Sequence, residues 1–129
     1  MNSAMNWTAI GAVLLALAVG MGAFGAHGLR SRLDAYSMSV YENAVFYHFV
    51  HALGILLVSL LARTNAISVT GQERVAWLLL IGILIFSGSL YALAISGARI
   101  LGAITPLGGI AFILGWLVLV YEALRAQRG

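Results

Sequence analysis

The sequence predicts an all-α integral membrane protein, a four-helix bundle with short connecting loops. Four long apolar segments occupy almost all of the 129 residues, and short polar stretches separate them. Hydrophobic residues make up 62% of the chain and charged residues only 9%, whereas a soluble domain carries about 25% charged residues. Each segment supplies the roughly 20 apolar residues that cross ~30 Å of hydrocarbon. Residues 1–129 are therefore predicted to form a single four-span domain.

The segments are predicted to be helices rather than strands of a barrel. Within lipid the backbone must satisfy its own hydrogen bonds, which leaves only helices and closed barrels. Runs of consecutive apolar residues, such as 75–86, lack the alternation of a barrel strand. The predicted helices span residues 7–26, 40–62, 71–96 and 106–124.

Sequence signals mark the starts of the first two helices. Asn6 is a favourable N-cap for a helix that begins at Trp7. Ser39 and Glu42 have the S-x-x-E spacing of a capping box, which predicts that the second helix begins directly after Ser39. The link at 28–38 has apolar residues at helical spacing, which would fit a short helix lying in the membrane interface. A solvated loop is the alternative interpretation.

Similar signals mark the last two helices. Thr70 and Glu73 repeat the capping-box spacing before the third helix. Thr105 followed by Pro106 fits an N-cap and a proline at the first helical position, where a missing N–H costs nothing. Residues 97–104 are then a tight, glycine-bearing connection between the third and fourth helices.

Four spans place both termini on one side of the membrane, which we call face A; the opposite side is face B. Face A carries four arginines and face B three, so the positive-inside rule favours cytoplasmic termini. The first segment lacks the basic residues of a signal peptide and is expected to remain a span. The expected partner is the lipid bilayer, because a net charge of +3 is too sparse for a nucleic-acid surface.

Polar side chains inside the apolar segments form the candidate functional site, since such groups are costly in lipid. They concentrate towards face B and predict a polar bowl that opens there. The face-A half offers little beyond Thr8 and Ser59 and is predicted to be dry. The candidate residues are His27, His48, His51, Ser87, Ser89, Tyr91 and Thr105.

Three functions fit this pattern. The leading interpretation is a non-enzymatic structural or accessory membrane protein whose histidines hydrogen-bond between helices. The alternative is a small transporter or proton-coupled carrier that uses His48, His51 and Tyr91. The third is a haem, quinone or metal binder through His27, His48 and His51. No catalytic residue, metal or cofactor is assigned, because the interior lacks the pair of carboxylates typical of acid–base catalysis, and the chain has no cysteine.

Small residues recur at four-residue spacing in the first, third and fourth segments. Such stripes allow membrane helices to approach closely. The contacts they make lie either within one chain or between chains, so a homo-oligomer or a larger membrane complex stays open. The glycines predicted to pack closely are Gly22, Gly25, Gly88 and Gly115.

Five ordered motifs cover nearly the whole chain. They are GAFGAHGL at 22–29, YHxxHAL at 47–53, FSGSLY at 86–91, LGxITPLGG at 101–109 and GW at 115–116. Together they resemble the YgdD-like family of small bacterial inner-membrane proteins, the domain of unknown function four hundred and twenty-three. The resemblance implies a four-span plasma-membrane protein and implies no activity.

Overall fold

The computed structural model describes residues 5–128, and these residues form four long helices without a β-strand. All four are long and apolar enough to cross a membrane, as the composition predicts. We label them α1 (Trp7–Leu29), α2 (Ala35–Arg63), α3 (Val69–Ser96) and α4 (Thr105–Arg128), the last preceded by a 3-10 turn at Arg99–Ala103.

Helix α2 lies at the centre of the bundle. Helices α1 and α3 pack along two of its faces, and α4 packs mainly along α3. The largest core cluster includes Ala52, Ile55 and Val58 of α2 together with Val75 and Leu79 of α3. Because α1 and α4 flank this central pair, a groove remains between them over the outer surface of α2.

Helix α2 begins five residues earlier than predicted, at Ala35. The Asp34 carboxylate accepts a hydrogen bond of 2.7 Å from the Ser37 N–H and caps the helix. This bond, with a second from the Ser37 hydroxyl, lowers the pKa of Asp34 below its usual value. The predicted capping box at Ser39 is wrong, because Asp34 already occupies the N-cap position one turn upstream.

The link between α1 and α2 is correspondingly shorter than the predicted 28–38. Helix α1 continues past residue 26 through a π-helical turn at Gly25–Leu29, so that only residues 30–34 connect the helices. Glu42 does not close a capping box. It forms an exposed salt bridge of 3.5 Å with Arg30 in the link. Residues 30–34 are thus a largely exposed turn, as expected for a solvated loop, whereas the two ends of the predicted link belong to the flanking helices.

Helix α3 also begins earlier than predicted. The Ser68 hydroxyl accepts a hydrogen bond of 2.9 Å from the Gly71 N–H, so the helix starts at Val69 and Thr70 lies inside its first turn. A π-helical stretch at Ile83–Ser87 interrupts α3 near its middle. The sequence carries no signal for this wider turn.

Helix α4 begins at Thr105, which is thus its first residue rather than its cap. Gly97 ends α3 in the left-handed conformation, with φ of 74°, which glycine adopts without steric cost. A short link then enters the 3-10 turn, in agreement with the predicted tight connection. Helix α4 continues to Arg128, past the predicted end at residue 124.

The predicted packing glycines differ in their surroundings. A methyl group at Gly25 would lie 2.5 Å from the Tyr41 ring, and one at Gly115 would lie 2.8 Å from Leu79, so both positions are tightly packed. At Gly22 the nearest contact, with Val45, would be an ordinary 3.6 Å. Gly88 has nothing within 4 Å, so it makes no close contact within this chain.

The closest helix approach lies at Gly108, which the sequence analysis missed. A methyl group there would collide with the backbone of Phe86 in the π-helical stretch of α3. Gly82 has a similar role, since the Phe112 ring lies against its Cα. The contact between α3 and α4 therefore depends on glycines in both helices.

Candidate functional site

His48 lies about 20 Å along α2 from its first residue, near the middle of the span. Its Nδ1 forms a 2.8 Å hydrogen bond with the Tyr91 hydroxyl of α3. Tyr91 packs in turn against Tyr41, whose hydroxyl donates to the Met21 carbonyl of α1. The other ring nitrogen, His48 Nε2, is buried and makes no hydrogen bond. Its side chain is only 5% exposed.

Both ring nitrogens of His51 are hydrogen-bonded. Nδ1 donates to the Tyr47 carbonyl at 2.8 Å, and Nε2 accepts from the Trp116 indole N–H at 3.1 Å. The ring also stacks on Phe112, with 3.5 Å between ring centroids. These bonds fix one neutral tautomer and leave no lone pair for a metal. His51 therefore joins α2 to α4.

The candidate hydroxyl groups also pair between helices. Ser87 is fully buried and donates a hydrogen bond of 2.8 Å to the Ala44 carbonyl, which joins α3 to α2. Ser89 and Thr105 lie 2.6 Å apart and join α3 to α4. Because each hydroxyl already has a protein partner, none needs a ligand to satisfy it.

The candidate residues do not form the single bowl that was expected. They are distributed among separate contacts centred on His48, His51, Ser87 and Ser89. His27 is exposed near the end of α1 and joins none of these contacts. Between residues 5 and 128 no three His, Asp or Glu side chains are close enough to hold a metal ion.

The face-A half is not dry, because a buried carboxylate lies there. Glu122 of α4 is 2% exposed and accepts a hydrogen bond of 3.0 Å from Arg74 of α3. Its carboxylate lies against Gly71, where a methyl group would come within 2.8 Å of Oε1. The first turn of α3 thus presents the positive end of its helix dipole to the carboxylate. The sequence signal that could have revealed this buried carboxylate is Glu122 itself, a single acidic residue in the apolar fourth span.

Two further contacts tie α1 to the bundle at face A. The Trp7 indole N–H donates to the Glu73 carboxylate at 2.8 Å, and the two rings of Trp7 and Trp77 meet edge to face. The Thr8 hydroxyl donates to the Ser59 hydroxyl at 3.1 Å. Sequence analysis noted Thr8 and Ser59 only as minor exceptions to a dry half.

The groove between α1 and α4 encloses about 860 Å³, and Thr8, Ser59 and Trp116 of the polar contacts line part of it. Its floor is the exposed surface of α2, which is lined mainly by aliphatic side chains. Its principal lining residues are Val50, Leu53, Leu57, Leu60, Arg63 and Trp116.

Comparison with known proteins places this architecture in a family. A family model described as a protein of unknown function, DUF423, matches residues 21–109, which is more than half of the chain. The chain belongs to the DUF423 family. The resemblance seen in the five sequence motifs is thereby confirmed, and the four apolar helices are those of a membrane protein of this family.

Relatives with nearly the same length support the assignment. A UPF0382 membrane protein of Staphylococcus epidermidis is 51% identical over 116 residues, covering 90% of this chain and 93% of the relative. The UPF0382 membrane protein YwdK of Bacillus subtilis is 47% identical over 117 residues, covering 90% and 94%. No solved structure matches the chain.

Proposed function

We propose that this protein is a non-enzymatic structural or accessory protein of the bacterial plasma membrane, whose buried polar groups hold its helices together. The observation that carries the proposal is the pairing of these groups. His51 bonds to Trp116, and His48 bonds to Tyr91. Ser87 bonds to a backbone carbonyl of α2. Most of the polar side chains in the interior are thus already hydrogen-bonded between helices.

The energies of such contacts suit a structural role. Hydrogen bonds between membrane helices contribute on average about 0.6 kcal/mol each, with a maximum near 1.7 kcal/mol. A proton or ligand that used His51 would first have to displace Tyr47 or Trp116. Glu122 also fits a structural role, because the Arg74 guanidinium engages this buried carboxylate in a contact between α3 and α4.

Orientation and assembly belong to the same proposal. The termini are cytoplasmic, with four arginines at face A against three at face B. The protein acts alone, as a homo-oligomer or within a larger membrane complex. The surface available for helix contacts is the stripe of Gly88, Ala92 and Ser96 on α3, which has open space at Gly88 and is exposed at the other two positions.

A combined stability and flux measurement tests this function. His48→Ala and His51→Ala are expected to lower the melting temperature in detergent, because each variant removes a buried contact between helices. His27→Ala is the matched control and should melt like the wild type, since His27 is exposed. Liposomes that contain the wild-type protein should pass protons and small solutes no faster than empty liposomes.

A proton-coupled carrier is the second candidate, and one observation favours it. His48 Nε2 is buried in mid-span without a hydrogen-bond partner, and an ionisable group at this depth is typical of proton pathways. If the wild type conducts protons, and His48→Ala abolishes this flux with an unchanged melting temperature, the protein is a proton-coupled carrier rather than an accessory protein.

A further inference from the structure

The groove over α2 adjoins a second, more polar cavity at face A. The second cavity encloses about 360 Å³ and shares Thr8 and Arg63 with the groove. Its remaining lining includes Asn6 at the start of α1 and Gln72 in the first turn of α3. The two cavities therefore adjoin at Thr8 and Arg63, where an aliphatic channel in the membrane meets a polar pocket at its surface.

Arg63 marks the transition between the two parts. It is the last residue of α2 and is exposed. The two salt bridges between described residues use Arg30 and Arg74, so no described carboxylate neutralises Arg63. The N-terminus of α1 borders the same pocket and adds the positive end of a helix dipole. The described lining of the pocket thus includes the positive charge of Arg63 and no carboxylate; the nearby Glu73 carboxylate is hydrogen-bonded to the Trp7 indole.

We propose that these two adjoining cavities together bind one anionic phospholipid of the surrounding bilayer. Its phosphate lies beside Arg63, and an acyl chain follows α2 from Leu60 to Val50. The distance along α2 from Val50 to Arg63 is about 20 Å, slightly more than the ~15 Å of hydrocarbon in one leaflet. Arginines between membrane helices are typical partners of anionic head groups.

The lining favours an acyl chain over a helix from a second copy. Membrane helices pack through small residues or through hydrogen bonds between helices. The exposed floor instead consists of Val50, Leu53 and Leu57. Its single glycine, Gly54, is already covered by the Trp116 ring. A flexible chain conforms to such an uneven aliphatic surface, whereas a second helix would not approach closely.

Native mass spectrometry of the purified protein tests the head-group contact. The protein is incubated in detergent with equal amounts of phosphatidylglycerol and phosphatidylcholine that carry identical acyl chains. The wild type should retain phosphatidylglycerol roughly fivefold over phosphatidylcholine, as expected for one arginine near a head group of net negative charge, because choline balances the phosphate charge in phosphatidylcholine. Arg63→Gln should retain the two lipids equally. Arg128→Gln is the matched control at the same face and should keep the preference.

A second pair of variants tests the acyl-chain channel. Leu57→Trp fills the groove and should reduce retention of both lipids, whereas Leu84→Trp, at an exposed site of α3 outside the groove, should not. Equal retention of both lipids by the wild type would overturn the proposal, as would an Arg63→Gln variant with an intact preference. Disulfide-linked dimers of Leu57→Cys would overturn it by identifying a second copy as the occupant.

Discussion

Gly108→Ala tests the packing of α3 against α4 at its closest point. The added methyl group would lie 2.7 Å from the Cα of Phe86, about 0.7 Å short of an ordinary contact. A backbone atom cannot rotate away, so the two helices must separate. A gap of this size removes a quarter to a half of the dispersion energy of each contact. We expect the free energy of unfolding to fall by about 1–3 kcal/mol, as for other overpacked sites.

Gly88→Ala provides the matched control, because it is the same substitution in a helix of the same bundle. Nothing lies within 4 Å of the added methyl group, and alanine favours a helix over glycine by at most about 1 kcal/mol. Unfolding by a denaturing detergent should therefore show loss of stability for Gly108→Ala and none for Gly88→Ala. Equal losses for the two variants, or an unchanged Gly108→Ala, would refute the reasoning.

Three further predictions concern charges and topology. Glu122→Gln should lower the free energy of unfolding by about 1–2 kcal/mol in the same assay. This loss is smaller than for a fully buried ion pair, because the arginine partner is half exposed. A loss no larger than that of the exposed Glu42→Gln would contradict a buried pair. The pKa of Asp34 is lowered in the folded state, so its charge stabilises the fold above the unfolded pKa of about 3.9 and this contribution disappears as the pH falls further. The stability difference between wild type and Asp34→Asn should therefore shrink below about pH 4, and a constant difference would exclude the contact. Single cysteines at Ser31 and Ala66 should react with an impermeant thiol reagent from opposite sides of the membrane, whereas same-side labelling would exclude four spans.

The existence of the four helices could be predicted because lipid imposes a simple requirement on length and composition. The start of α1 at Trp7 could also be predicted, because Asn6 caps it. The starts of α2 and α3 could not, since several side chains compete for one cap. Ser39 and Thr70 have suitable spacing, yet Asp34 and Ser68 lie upstream and reach the first free N–H groups. The π-helical turns were missed as well. Their wider turns coincide with close contacts between helices, such as that at Gly108, which depend on the tertiary arrangement.

The candidate site was predicted in composition but not in arrangement. The bond of His48 with Tyr91 is of the kind predicted, a histidine hydrogen-bonded between helices. The partner of His51 was not predicted, since Trp116 lies on α4 and reaches α2 only because Gly54 leaves room for its ring. Glu122 was missed because its burial requires Gly71 opposite it on another helix. Each omission concerns a pair that only the three-dimensional packing brings together.

A double-mutant cycle between His51 and Trp116 tests the structural role of the polar interior most directly. Unfolding free energies are measured for His51→Ala, Trp116→Phe and the double variant. The cycle removes the separate packing effects of each substitution and isolates the hydrogen bond. We predict a coupling of about 0.6–1.7 kcal/mol, the range of hydrogen bonds between membrane helices. A coupling of zero would contradict the account, because His51 would then be available for a proton or a ligand.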